Sequence, residues 1–589
     1  MSIVRLDKVT FVGLTEDRER LLRTLQELGC MHIAPFTAES ENQNAGENTA
    51  GAREVLQFLR DYPWRRRQSR DIARFDALEI ERKALDVRQR LQALSDERDF
   101  LIKRIQDMRP WGDFEFSPLP EMGGLRLWFY VIPHRDMALI RDLPLTHEIV
   151  KKDNRYSYVV VISESEPEGM PVNRTHIGSR PRHELEARLE EVELAIEDVQ
   201  AERAYLTRWY SLLRDNIATL EDRAALAAAL NQTYTRSEMF ALRGWAPHGG
   251  IPALEAYARS HGLHMDVQEA QPDDNPPTYL ENPPWLAAGE DLVNFYMTPG
   301  YRAWDPSKIV FFSFALFFAM ILADAGYALL LGIVLLFFWR KMGASPGGRR
   351  FRPLCWVIVI FSLLYGMLIG SYFGVTPPKD SLLASLHVLD MSDTNLMMAI
   401  SVFIGCIHVI LGAAMDAARH KNRVEGLESI GWACIVSAGL AFLLAMAFAP
   451  DILKPLSIGL AAIGALLVLL FAAPFEKPLP RLMKGLLGLT KLSGAFGDVL
   501  SYLRLFALGL ASGSLAAEFN NMSAGINDAM PGVGIFFALL LLFLGHAVNL
   551  LLGLASAVIH GLRLNVIEFF NWGLKEEGSL FKPFRRTQR

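Results

Sequence analysis

The sequence predicts an α-helical membrane protein of about eight transmembrane helices, two of them long and tilted. It places ahead of them a cytoplasmic antiparallel coiled-coil rod with two small α/β lobes. Three observations carry this reading. The composition of the 589-residue chain divides sharply near residue 305, from charge-rich helical patterning to long apolar runs separated by short loops. Two heptad-patterned segments of matched length lie in the polar half. An arginine, Arg504, stands near the midpoint of the apolar run 493–519, in a stretch from Val499 to Ala517 that is otherwise uncharged.

The polar half comes first. Residues 71–109 place Ile80, Ala84, Val87, Leu91, Leu94, Leu101, Ile105 and Met108 at alternating steps of three and four, broken once by Arg98. Residues 182–221 do the same with Leu185, Leu189, Val192, Ile196, Val199, Leu206, Tyr210, Leu213, Ile217 and Leu220, broken by Arg203. Pro110 ends the first helix, and the equal lengths predict an antiparallel rod of roughly 50 Å at a rise of 1.5 Å per residue. A distal α/β lobe over 115–180 contains strands Leu125–Ile132 and Tyr156–Ser163 around a helix at Arg135–Leu143. A proximal lobe combines 1–50 with 232–270. Its expected elements are a helix at Glu16–Gly29, strands Met31–Ala34, Met239–Gly244 and His264–Val267, and a helix at Pro252–His261. Residues 37–52 read as a flexible loop, Pro272–Pro277 as a linker, and 291–307 as the connection into the membrane domain, 308–575. Residues 576–589 form a tail.

Apolar runs occupy 308–339, 353–375, 395–418, 429–449, 455–474, 493–519 and 532–572. Basic residues cluster in alternate connections: Arg340, Lys341, Arg349, Arg350 and Arg352, then Arg419, Lys421 and Arg423, then Lys477, Arg481 and Lys484, and finally the tail. By the positive-inside rule these face the cytoplasm. The start, Met1-Ser-Ile-Val-Arg-Leu-Asp-Lys, lacks the apolar core of a secretory signal, so the polar half is expected there as well. Both termini inside require an even number of crossings. The run 308–339, too long for one upright span, is therefore expected to be a hairpin turning at Asp324-Ala-Gly326. The last run is expected to be one tilted helix.

A guanidinium does not lose its proton, and holding one at the bilayer centre costs roughly 2.5–3.5 kcal/mol even on insertion-based scales. Such a cost points to a pathway for charge. Helical projection of 493–519 puts Ser501 and Glu518 on the face of Arg504, with Ser512 close by. The final helix carries a second charge, Arg563, with Asn549, Ser556 and His560 before it and Glu568 after it. These nine residues are the candidate ion-translocation set. His408, Asp416, Asp324 and His546 are weaker candidates. The small residues Gly509, Ala511, Ser512, Gly513 and Ala516 allow close helix packing. Of the 4 cysteines, Cys355, Cys406 and Cys434 lie in apolar runs, without disulfide or metal-ligand spacing. There is no P-loop and no kinase signature. No cofactor, metal or nucleic acid is expected, and the net charge of −5 is too mild to point to a partner.

The run Gly497-Asp-Val-Leu-Ser-Tyr-Leu-Arg504-Leu-Phe-Ala-Leu-Gly-Leu-Ala511 resembles the signature helix of the V-type ATPase 116-kDa subunit family, called subunit I or subunit a of the V/A-type ATPase in bacteria and archaea. His560-Gly-Leu-Arg563-Leu-Asn-Val-Ile-Glu568-Phe-Phe, with Gly578, Phe581, Pro583 and Phe584, is similar to the family's C-terminal pattern. Asp324-Ala-Gly-Tyr327, Gly370-Ser-Tyr-Phe-Gly374, Gly244-Trp245 and Pro276-Pro-Thr278 agree further, so the likeness covers essentially the whole chain in its short, prokaryotic form. Eukaryotic members carry a histidine where Ser512 stands, so a proton-path role for that position does not transfer.

The resemblance implies a non-catalytic stator subunit of a proton- or sodium-translocating complex in the plasma membrane. It would lie in the bilayer beside a rotating proteolipid (c or K) ring and be anchored to peripheral stalks of the E and G type, in a complex that includes the central stalk. Arg504 would stand between two offset half-channels and favour the deprotonated ring carboxylate, with Arg563 reinforcing its field. Two other classes compete with this reading. A secondary ion transporter would show internal repeats and interrupted helices, and neither is evident. A non-conducting membrane scaffold leaves the two arginines unexplained.

Overall fold

The computed structural model describes residues 2–36, 47–64, 66–71, 74–113, 124–141, 145–177, 180–271, 273–378, 380–420, 424–447, 450–530, 532–574 and 576–587. The chain forms two compact units, 1–11 with 244–583 and 12–243 with 584–589.

The elements of the polar half follow in chain order. They are β1 (Leu6–Leu14), α1 (Arg18–Leu28), β2 (His32–Ala34), α2 (Glu47–Arg60) and α3 (Ala77–Met108), then β3 (Arg126–Pro133), α4 (Met137–Arg141), β4 (Thr146–Lys152) and β5 (Tyr156–Ser163). After these come α5 (Arg182–Leu206), α6 (Tyr210–Asn231), β6 (Tyr234–Arg236), β7 (Met239–Pro247), α7 (Ile251–Ser260) and β8 (His264–Glu269). One sheet has the order β2-β7-β1-β8 with β6 on β7, and a second has the order β3-β5-β4, antiparallel throughout. Strand β4, with mostly exposed and charged residues, was not evident in the sequence.

α3 begins at Asp76, whose carboxylate accepts from the amides of Leu78 and Glu79. It packs antiparallel to α5, as the cross-helix ion pairs Arg90–Glu202 and Arg188–Glu97 show. The expected seam residues Leu101, Met108, Leu185, Val192 and Ile196 form one buried cluster, and Ile80, Ala84, Val87, Val199, Leu206, Leu213 and Leu220 a second.

Two expectations in this unit are corrected. The arm 182–221 is not one helix. It is interrupted by a 3₁₀ turn at Thr207–Trp209, where the Thr207 hydroxyl accepts from the Arg66 amide and Gln68 Nε2 donates to the Thr207 carbonyl. Residues 47–52 are not loop but the start of α2, which buries Val55 and Leu59 against the second cluster. The remainder of that expected loop, 37–46, and residues 114–123, 142–144 and 178–179 in and beside the distal lobe lie outside the described residues.

The apolar half continues with α8 (Ala287–Tyr296), α9 (Ser307–Leu322), α10 (Ala325–Met342), α11 (Pro346–Ile369), α12 (Thr394–Arg419), α13 (Leu427–Ala447) and α14 (Pro450–Phe471). It ends with α15 (Pro478–Leu489), α16 (Leu492–Leu500), α17 (Leu503–Ala529), α18 (Gly534–Arg563), a π-helical segment (Leu564–Phe569) and α19 (Phe570–Gly573). Among the described residues, 7 stretches are long and apolar enough to cross a bilayer, taking 478–529 and 534–573 each as one, and α9 is a shorter apolar helix.

The expected turn at Asp324 is present. Ala323 adopts a left-handed conformation (φ 50°) that stops α9, and Asp324 caps α10. α11 lies against both α9 and α10. Its Gly366 is so close to Asp324 and Ala325 that a Cβ there would meet the Asp324 carbonyl carbon at 2.7 Å. Near its start, Arg350 donates to Asp291 and Glu290 of α8, each at 2.8 Å. The chain enters and leaves the bundle on one side. The Thr278 amide donates to the Ser579 carbonyl (2.7 Å), the Phe581 amide to the Thr278 carbonyl (3.0 Å), and the Gly300 amide to the Glu576 carbonyl (3.0 Å).

Three expectations about the apolar runs change. The stretch around Lys477, Arg481 and Lys484 is the amphipathic helix α15 rather than a loop. The run 493–519 is not one helix, because a turn at Ser501–Tyr502 separates α16 from α17. Arg504 therefore lies in the first turn of α17 and not at a helix midpoint. The last run is helical throughout, but its pitch widens over Leu564–Phe569.

Candidate functional site

The turn that precedes Arg504 and the π segment that carries Glu568 bring three charged groups together. In the turn, the Arg504 amide donates to Ser501 and the Leu505 amide to Tyr502, i to i+3 bonds tighter than the α-helical pattern. In the π segment, the side-chain amide of Asn565 donates to the Gly561 carbonyl (2.9 Å), and Ser313 of α9 donates to Asn565. This local widening turns Glu568 inward, to 2% exposure of its side chain. One oxygen of Glu568, Oε1, then lies 3.8 Å from an Arg504 nitrogen and 3.9 Å from Arg563 Nε.

Both distances exceed direct hydrogen-bond length and fall within ion-pair range. A nitrogen of Arg504, the second oxygen of Glu568 and Nδ1 of His560 are all buried without a hydrogen-bond partner among the described residues. Arg504 is largely covered, at 22% exposure, and Arg563 is half exposed, at 51%. Ser501, one turn before Arg504, back-bonds to the Gly497 carbonyl (3.0 Å) and lies within interaction range of Glu568.

Of the nine expected residues, Arg504, Arg563, Glu568, His560 and Ser501 therefore converge. Ser501 does so from the turn between α16 and α17, not from the face of a continuous helix. Asn549 and Ser512 meet elsewhere: Asn549, 1% exposed, donates to the Ser512 carbonyl (2.9 Å) and to the Tyr327 hydroxyl (3.0 Å). The contribution of Ser512 is its backbone rather than its hydroxyl. From there a polar chain runs on, as Tyr327 donates to His546 Nδ1 (2.7 Å) and His546 Nε2 to Asn520 (3.0 Å). Asn520 in turn donates to the Phe373 carbonyl (2.8 Å).

Glu518 is exposed on α17, about 21 Å along the axis from Arg504 at 1.5 Å per residue, and Ser556 is half-buried between the two clusters. Neither is drawn into a cluster. Tyr327 and Asn520 were missing from the sequence-derived set. The signal for Tyr327 was its position three residues after the Asp324 turn; Asn520 carried none. Among the described residues no group of acidic, histidine and cysteine side chains could hold a metal ion.

Comparison with known proteins finds related chains. The sequence model of the V-type ATPase 116kDa subunit family matches residues 170–369. The V-type ATP synthase subunit I of Chlamydia pneumoniae is 26% identical over 86% of this chain and 86% of its own length. The V-type ATP synthase subunit I of Borreliella burgdorferi is 24% identical over 100% of both chains. The A-type ATP synthase subunit I of Methanocaldococcus jannaschii is 28% identical over 68% of this chain and 64% of its own. A crystal structure of the cytoplasmic N-terminal domain of subunit I, homolog of subunit a, of V-ATPase aligns with 44% of this chain and 99% of that one, at 17% identity and a TM-score of 0.21.

Proposed function

We propose, from the likeness to the V-type ATPase 116-kDa subunit family and to V-type and A-type ATP synthase subunit I chains, that the chain is a member of that family and the stator subunit of a rotary V/A-type ATPase. In this role it supplies two ion half-channels and the essential arginine beside a rotating proteolipid ring. The observation that carries the proposal is the convergence of Arg504 and Arg563, from two helices, on one oxygen of the buried Glu568. Two fixed positive charges share one carboxylate, so the cluster holds at least one positive charge in excess inside an apolar bundle.

That excess is available to a carboxylate on the ring. It favours the ionised form of the ring carboxylate by opposite-charge proximity, forces ion release before the ring steps on, and repels a cation that would leak straight through. The Asn549–Tyr327–His546–Asn520 chain supports a polar route leading away from the arginines. The residues before the first membrane helix and the tail are read as cytoplasmic. In this reading the chain divides into a cytoplasmic domain over 1–290, a linker over 291–307, a translocating domain over 308–575 and a tail over 576–589. The polar half serves to dock peripheral stalks against rotor torque.

Arg504→Ala, assembled into the complete complex and reconstituted in vesicles, tests the proposal. ATP-driven ion uptake is expected to collapse while the complex still assembles. Uptake at the wild-type rate in that variant overturns the reading.

A further inference from the structure

Tyr502 and His408 are buried beside the arginine cluster but take no part in the reading above. Tyr502 is the last residue before α17, two before Arg504, and is fully buried. Its hydroxyl donates to the carbonyl of Leu564 (3.4 Å), the first residue of the π segment, four before Glu568. His408 of α12 lies 2.8 Å from the same hydroxyl through Nδ1. With the hydroxyl hydrogen committed to Leu564, His408 Nδ1–H is the donor in that pair. The His408 ring is stacked flat on Phe569, the neighbour of Glu568, with centroids 4.2 Å apart and planes 2° from parallel. Phe317 of α9 closes on both rings edge-on, at 5.2 Å from His408 and 5.7 Å from Tyr502.

The two departures from regular helix in this region are thus joined by one hydroxyl. The turn at Ser501–Tyr502 displays Arg504, and the π segment displays Glu568. Packing alone does not require that hydroxyl. α12 reaches Tyr502 because Gly405 lets it, a Cβ there meeting the ring at 2.7 Å, and a phenylalanine ring satisfies the same contact. A buried imidazole–phenol pair in apolar surroundings costs desolvation that its hydrogen bonds barely offset. What the pair adds is direction.

We propose that Tyr502 and His408 are positioning residues for ion translocation, a clamp that fixes the separation of Arg504 from Glu568. The clamp presupposes the translocation reading above. It acts through backbone: pulling the hydroxyl from the Leu564 carbonyl frees the π segment to slide relative to the turn. A misplacement near 1 Å can cost about 100-fold in a step that depends on alignment.

The test uses the whole complex in vesicles and follows ATP-driven uptake across a pH series. Tyr502→Phe is expected to assemble and to keep the wild-type thermal transition. Its uptake is expected to fall about 10- to 100-fold and its pH profile to shift, because the field of a displaced arginine on the ring carboxylate changes. His408→Leu is expected to behave alike, whereas His408→Gln, which keeps an N–H donor, is expected to restore most of the rate. Uptake by Tyr502→Phe at the wild-type rate with an unshifted profile overturns the clamp. If that variant does not assemble, equal uptake by His408→Gln and His408→Leu overturns it instead. Arg504→Ala in the same preparation separates the two ideas. If it pumps normally, the translocation reading falls and the clamp with it; if it is inactive while Tyr502→Phe is normal, the clamp alone falls.

Discussion

At the scale of single residues, Asp324 is a heavily used carboxylate in the bundle. It is 2% exposed, and its oxygens accept from the amides of Tyr327, Phe373 and Gly374 and from the Ser371 hydroxyl. Removing it leaves three backbone donors without their acceptor in a place water reaches poorly. Asp324→Ala is therefore expected to cost about 3 kcal/mol or more and to lower the thermal transition of the purified protein; an unchanged transition refutes the account. Asp324 was visible in the sequence as a polar break in an apolar run, and so were both arginines. The place of Glu568 was harder to see. On a regular helix it projects near the membrane end and suits an interfacial residue. The π segment, which no glycine or proline announces, turns it inward between the arginines. Tyr502 was hidden for a related reason, since in an apolar run a tyrosine before a leucine looks like packing.

At the scale of elements, hydrophobic runs and heptads located nearly every helix, because burial selects apolar residues at a fixed period. What they did not reveal was interruption. The breaks at Thr207–Trp209 and Ser501–Tyr502 are held by side chains distant in sequence, Gln68 in one case and His408 in the other, and a local pattern does not contain its distant partners. α2 was missed because its polar first turns resemble a loop, while the residues it buries, Val55 and Leu59, come later. α15 was missed because its basic residues read as a cytoplasmic connection.

Small residues set how closely the membrane helices approach. Gly464 of α14 faces Gly431 of α13 so tightly that a Cβ at 464 would meet the Gly431 carbonyl oxygen at 2.6 Å. Gly464→Leu is expected to force these helices apart and to destabilise the protein by about 1–3 kcal/mol, seen as a lower unfolding temperature. A wild-type transition in that variant denies that this contact is close-packed.

At the scale of the whole chain, the positive-inside count and the paired segments at the two ends of the bundle point to the same even number of crossings. The orientation that follows is checked with cysteines placed in a background lacking the native ones. Ser392→Cys is expected to react with an impermeant maleimide from outside intact cells, and Ala344→Cys only after permeabilisation. The reverse pattern inverts the topology. The pairing of Thr278 with Ser579 and Phe581 also has a meaning in time. During synthesis Thr278 leaves the ribosome before any span has been made, and its partners leave it only after the last. No partial product can close that pairing, so its closure waits on the last span.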